Sequence, residues 1–100
     1  MTVEERWTGL TSELFVRVAI PEAPRAAVLL LHGYSEHSER YLHAIDLLVA
    51  AGFAVVAPDH QGHGRTGKTL GLIPRGSEMV ADVLAVRRQL AQRVPGVPIF

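Results

Sequence analysis

One hundred residues, 48% apolar and 20% charged, have an ordinary globular composition and hold no more than one small domain. Ten Lys and Arg balance ten Asp and Glu, which leaves no basic stripe of the kind a nucleic-acid binder needs. With no cysteine in the chain, disulfides, thiolate metal sites and a cysteine nucleophile are excluded.

The opening segment, Met1 to Leu10, carries Glu4, Glu5 and Arg6 and lacks the apolar stretch of a signal peptide. The longest apolar run, Ala26 to Leu31, is far short of the roughly 20 residues that span a bilayer. Both features point to a cytoplasmic protein without a transmembrane segment. Leu14 to Ile20 mixes alternation with β-branched residues and ends at Pro21, so it reads as an early strand. Thr8 to Leu10 is its expected hairpin partner. Pro21-Glu22-Ala23-Pro24 forms a turn. Ala26 to Leu31 then runs apolar without alternation until His32-Gly33, as a strand buried on both faces requires.

From Ser38 the period becomes helical. Tyr41, Leu42, Ile45, Leu48 and Val49 recur at helical spacing, and Gly52 stands where a C′ glycine ends a helix. Phe53 to Ala57 is a second buried strand, closed by Pro58-Asp59. A glycine-rich loop runs from His60 to Gly76. Ser77 offers an N-cap, and Val80, Val83, Leu84, Leu90, Ala91 and Val94 form one apolar stripe of a helix closed by Pro95-Gly96. Val97 to Phe100 opens a third buried strand. Strands alternating with helices imply a mostly parallel sheet with helices on both faces. In such sheets the working residues gather in loops at the carboxyl ends of strands, here His32 to His37 and Asp59 to Lys68.

Two patterns invite a chemical reading and do not sustain it. Gly33-Tyr34-Ser35-Glu36-His37 follows a strand and precedes a helix, the context of a nucleophile elbow. The bulky His37 stands where that strained turn takes a small residue, so Ser35 reads as a loop serine. The five histidines His32, His37, His43, His60 and His63, with Asp59 beside His60, suggest a zinc or iron site. No pair has the spacing of His-Glu-x-x-His on one helix face. These rings are expected to hydrogen-bond loop backbone, with no metal and no cofactor.

The order of motifs carries more weight. One strand ends in His32-Gly33-Tyr34-Ser35-Glu36-His37-Ser38-Glu39-Arg40-Tyr41, the next in Asp59-His60-Gln61-Gly62-His63-Gly64-Arg65-Thr66. Over Val28 to Phe100 the chain resembles the α/β-hydrolase superfamily, in its branch of monoacylglycerol lipases and lysophospholipases with a domain of the serine aminopeptidase S33 type. That branch shows an H-G-x-x-E-H-x-x-R-Y segment, matched here at every fixed position. It also shows a D-x-x-G-H-G-x-S segment, matched except that Thr66 replaces Ser.

The resemblance implies that residues 1–100 are the N-terminal part of a single α/β-hydrolase domain, truncated before its nucleophile elbow. Acyl transfer passes through a tetrahedral oxyanion that fixed N–H donors must meet. By resemblance one donor is the backbone N–H of Tyr34, supported by His32 and Gly33. Gly33 is expected to give the chain freedom to turn. Glu36, His37, Arg40 and Tyr41 are expected to form a network at the start of the helix, and Asp59 to bond loop amides. The triad Ser, Asp and His are expected beyond Phe100, so these residues alone are expected to be inactive.

The implied activity of the parent is hydrolysis of a lipid-like carboxylic ester through an acyl-enzyme. Transient membrane-surface contact through a later lid goes with it. Epoxide hydrolase, dehalogenase and peptidase chemistry on the same fold are alternatives, as is a non-catalytic interaction domain.

Overall fold

The structure, a computed structural model, describes residues 2–9, 13–33, 36–66 and 76–100. β1 (Val3–Thr8) and β2 (Glu13–Ala19) pair antiparallel, with Val3 opposite Val18 and Thr8 opposite Glu13. β2 also pairs antiparallel with β4 (Phe53–Pro58), which runs parallel to β3 (Ala26–Leu29). The order is β1-β2-β4-β3. On the free side of β3, Ala27 forms a parallel bridge with Ile99. There the Phe100 N–H donates to Ala27 O at 2.8 Å and the Leu29 N–H to Phe100 O at 2.7 Å. Parallel pairing thus begins at β4 and continues through β3, while the hairpin extends the other edge.

The apolar runs of β3 and β4 serve two cores at once. Ala54 and Val56 of β4 join Ala27, Val16, Val18 and Trp7 on one face, packed against Val86, Leu90 and Val94. Val55 and Ala57 point to the opposite face, where Ile45 and the half-buried Val28, Leu30 and Leu48 meet them. Successive strand residues alternate faces, so a strand covered on both sides has no polar position to spare.

A 3-10 turn at Ser38–Tyr41 leads into α1 (Leu42–Ala50), which covers that second face and crosses from β3 to β4. Gly52 closes the helix at φ +94°, donating its N–H to Val49 O at 2.9 Å. The left-handed value explains why glycine stands there. α2 (Gly76–Arg93) covers the first face.

Two expectations need correction. The partner of β2 is Val3–Thr8 rather than Thr8 to Leu10, and Leu10 lies outside the described residues. β1 is an edge strand whose Glu4, Arg6 and Thr8 are exposed while Trp7 is buried. Charged edges of this kind discourage pairing with another chain, and they also conceal the strand from a search for apolar alternation.

The stripe of α2 is the second correction. Its buried positions are Asp82, Val86 and Leu90, followed by Val94, whereas Val80 and Leu84 are 58% and 53% exposed. These two line an open apolar groove of about 340 Å³ with Leu31 and Met79, beside His32 and His60. Asp82 holds a core position because Gln61 Nε2 donates to its Oδ2 at 3.1 Å; a buried carboxylate needs such a partner. Gly76 is already helical, which puts Ser77 inside the helix rather than at its cap.

Candidate active site

Because β3 and β4 are parallel neighbours, their carboxyl ends deliver both motif loops to the same edge of the sheet. The last rung of the ladder is the Leu30 N–H donating to Val56 O at 2.9 Å. Beyond it, histidine side chains continue the pairing. The His60 N–H donates to His32 Nε2 at 3.0 Å, and His60 Nε2 donates back to His32 O at 3.2 Å. An Nε2 that accepts must leave the His32 proton on Nδ1, which lies 2.7 Å from Gly33 O. The hydrogen bonds thus select one tautomer of His32.

His63 joins this pair. Its ring centroid lies 5.2 Å from that of His32 and 6.4 Å from that of His60, and its Nδ1 is 3.0 Å from Gln61 O. The His32 and His60 rings are 4.3 Å apart. Burial first, then the neighbouring His32, hold the His60 imidazole below the ordinary histidine value; a second positive charge in this cluster would be costly. The three rings therefore serve the loop backbone as expected. Among the described residues no three His, Asp or Glu side chains converge on a point suited to a metal ion.

Asp59 organises the second loop. Its carboxylate, fully buried, accepts from the Ser38 N–H at 2.6 Å through Oδ1 and from the Arg65 N–H at 2.9 Å through Oδ2. One side chain thereby ties the β4 loop to the start of the 3-10 turn and closes its own loop. Gly62 and Gly64 take φ of +75° and +50° within that turn. A Cβ at Gly64 would lie 2.2 Å from Asp59 Oδ2, so no larger residue fits. Thr66 locks the loop to β2: its Oγ1 donates to Asp59 O at 2.6 Å and accepts from the Phe15 N–H at 3.0 Å. The Asp59 N–H donates in turn to Phe15 O at 2.8 Å. Both bonds run through the hydroxyl, a group that threonine shares with serine.

Glu36 organises the first loop. Its Oε1 accepts from the Gly33 N–H at 2.9 Å and from the Tyr41 hydroxyl at 2.5 Å, while the Glu36 N–H donates to Gly33 O at 3.2 Å. The Tyr41 hydroxyl first, then the Gly33 amide, hold the Glu36 carboxyl below the usual carboxylate range, and Tyr41 is raised correspondingly. Gly33 does not take a positive φ, contrary to the expectation of conformational freedom there. A Cβ there would make an ordinary contact with Glu36 Oε1 at 3.4 Å. Tyr34 and Ser35 lie outside the described residues.

One supporting residue escaped the sequence reading. Arg17, in the middle of β2, is 5% exposed and donates from Nε to Ser38 Oγ at 3.1 Å. It also pairs with Glu4 at 3.2 Å and Glu39 at 3.3 Å, bracing the 3-10 turn from below. A charged residue flanked by Val16 and Val18 in an otherwise apolar strand was the available signal, because a buried charge must find partners.

Comparison with known proteins agrees with this geometry. The sequence model of the serine aminopeptidase S33 family matches residues 22–100. A monoacylglycerol lipase of Mycolicibacterium smegmatis is 41% identical over 75 residues, covering 75% of this chain and 27% of that protein. Epoxide hydrolase B of Mycobacterium tuberculosis is 39% identical over 67 residues, covering 66% of this chain and 19% of its own length. The crystal structure of a thermostable carboxyl esterase from Bacillus coagulans superposes with a TM-score of 0.80 at 30% identity, covering 100% of this chain and 34% of the esterase. The chain thus spans about a third or less of the length of these relatives. It belongs to the serine aminopeptidase S33 family of α/β hydrolases, in the branch that resembles monoacylglycerol lipases.

Proposed function

We propose that this segment is the N-terminal part of a serine hydrolase that cleaves carboxylic esters, with a monoacylglycerol or lysophospholipid as substrate. The observation that carries the reading is the junction of the two motif loops. His32 and His60 join them through reciprocal hydrogen bonds at the carboxyl edge of the parallel strands, where this fold places its chemistry. In this reading the Tyr34 backbone N–H, next to Gly33, is one of two donors to the tetrahedral oxyanion. The other is the amide after the nucleophile. The sequence contains no Gly-x-Ser-x-Gly elbow; the triad serine, acid and histidine belong to residues after Phe100, and these hundred residues alone are inactive.

The reaction forms an acyl-enzyme on the serine and releases the alcohol, then water releases the acid, with no cofactor. We place the protein in the cytoplasm, acting on a lipid-like ester, with a later lid touching the membrane surface transiently. The test is fluorophosphonate labelling of the polypeptide that carries this segment together with an elbow, alongside release of glycerol from monoacylglycerol. A folded sample that neither labels nor releases glycerol would refute the reading.

The similarity to an epoxide hydrolase supports one alternative. An aspartate at the elbow would attack carbon and form an alkyl ester, the chemistry of that alternative. The identity of the elbow residue decides between the two, since only a serine reacts with the phosphonate.

A further inference from the structure

Where the ladder between β3 and β4 ends, two histidines carry it on, and the two bonds they make respond differently to acid. In one, His60 Nε2 donates to His32 O at 3.2 Å. A proton added to His60 leaves that bond standing, because Nε2 donates in either form. In the other, His32 Nε2 accepts from the His60 N–H at 3.0 Å. An imidazolium has no acceptor, so a proton on His32 abolishes this bond and sets two N–H groups against each other.

The groups that face the junction are apolar or already engaged. The His60 and His63 rings stand 4.3 and 5.2 Å from that of His32. Burial first, then His32, hold His60 below the ordinary histidine value, and His63 and the adjacent Asp59 also act on it. α2 turns Met79, Val80, Val83 and Leu84 toward the groove beside both rings, and its buried carboxylate, Asp82, is bonded to Gln61. Asp59 gives its carboxylate to the Ser38 and Arg65 amides. Glu36, whose charge interacts with His32, gives its Oε1 to the Gly33 amide and the Tyr41 hydroxyl. His37 stands beside Gly64 and Asp59.

We propose that the junction of His32 and His60 is an acid-released latch, in which protonation of His32 frees the His60 amide and parts the loop of residues 59–66 from the loop after β3. Release is local. The last backbone rung, from the Leu30 N–H to Val56 O at 2.9 Å, contains no titratable group, and Asp59 still ties its own loop to Ser38. The candidate site is thus assembled at neutral pH and opens in acid, across the range in which histidine ordinarily changes charge. This holds whether or not the site hydrolyses esters.

The test is NMR of the isotope-labelled intact polypeptide that carries this segment, from about pH 8 to about pH 5. The His60 amide should shift with the same midpoint as the His32 ring. Its protection against hydrogen exchange, corrected for the intrinsic rate, should fall about tenfold, as the loss of one hydrogen bond implies. The Leu30 amide should keep its protection. His32→Gln offers an acceptor oxygen in place of Nε2 and does not titrate, so its His60 amide should stay within about threefold throughout.

A His60 amide that stays protected while the His32 ring titrates would overturn the proposal. So would a His32 ring that takes up no proton until the whole protein unfolds, a Leu30 amide released at the same midpoint, or an unchanged transition in His32→Gln. If His32→Gln does not fold, His60→Gln decides, since it keeps His32 and the backbone amide at position 60. That amide should still be released with the His32 ring, and loss of the transition would make His60 the sensor instead.

Discussion

Replacing Gly64 with alanine is expected to be among the most damaging single methyl additions in this chain. The new Cβ would stand 2.2 Å from Asp59 Oδ2, 2.5 Å from its Cγ and 2.9 Å from His37 Cβ, on a backbone at φ +50°. The left-handed conformation alone costs a non-glycine residue about 1–2 kcal/mol. The Asp59 carboxylate must then withdraw, releasing the Ser38 and Arg65 amides that it binds at 2.6 and 2.9 Å. A buried donor left unpaired costs about 1–3 kcal/mol; with the Ser38 amide buried and the Arg65 amide only partly so, the total is about 2–5 kcal/mol against a whole-domain stability of about 5–15 kcal/mol. Two other glycines separate the contributions. Gly96 has φ +83° and open space, and Gly76 has open space without a positive φ. Urea midpoints of the three alanine variants in one polypeptide background should therefore rank Gly76 unchanged or raised, Gly96 lowered modestly, and Gly64 lowered by about 1 M or more, given a slope of about 1–3 kcal/mol per molar. A Gly64→Ala midpoint no lower than that of Gly96→Ala would refute the assigned role of Asp59.

Thr66→Ser should lie within about 1 kcal/mol of wild type in the same assay, whereas Thr66→Val should lose about 2 kcal/mol or more because Phe15 N–H and Asp59 O lose their partner. For His60 the native titration is depressed, while the unfolded chain protonates at about pH 6.5. Its contribution to stability is complete above about pH 6.5 and is lost as the pH falls through the native value, because there the unfolded state binds more protons. Imidazole NMR titration should give a midpoint for His60 below that of a histidine peptide, and an equal or higher midpoint would contradict the burial described. Gly33→Val in the intact hydrolase should lower kcat about tenfold or more, because its branched side chain meets Glu36 Oε1 where a bare Cβ already reaches 3.4 Å. Unchanged turnover would remove Gly33 from the site.

The parts of this fold legible in the sequence are those governed by a single rule. β3 and β4 announce themselves because both faces are covered, and α1 because its apolar period ends at a left-handed Gly52. α2 was misphased because Asp82 occupies a core position, and its acceptance from Gln61 depends on a loop that no local pattern reveals. β1 was placed too late because an edge strand carries charge where a central one cannot. Of the site, the two loops and the staple made by Asp59 could be read from the motifs. The tautomer of His32, the two hydrogen bonds accepted by Glu36 and the brace from Arg17 could not, because no local pattern marks the groups that they join.

The bond between Phe15 and Thr66 joins residues 51 positions apart, and it has a bearing on how the chain assembles during synthesis. β2 is complete at Ala19 and β4 at Pro58, so at about 5–20 residues per second the ribosome delivers the second about 2–8 s after the first. Through that interval the hairpin has no neighbour on one side, and an isolated hairpin is marginal in water. The β4 loop can close only after β4 has docked, which makes it a late event in folding. Substitutions at Asp59 and Thr66 should then accelerate unfolding far more than they slow folding, visible as a shift of the unfolding arm of the chevron alone. The same residues that hold the candidate site in shape are thus its guard against opening, and the hairpin, first to emerge, waits longest for its place.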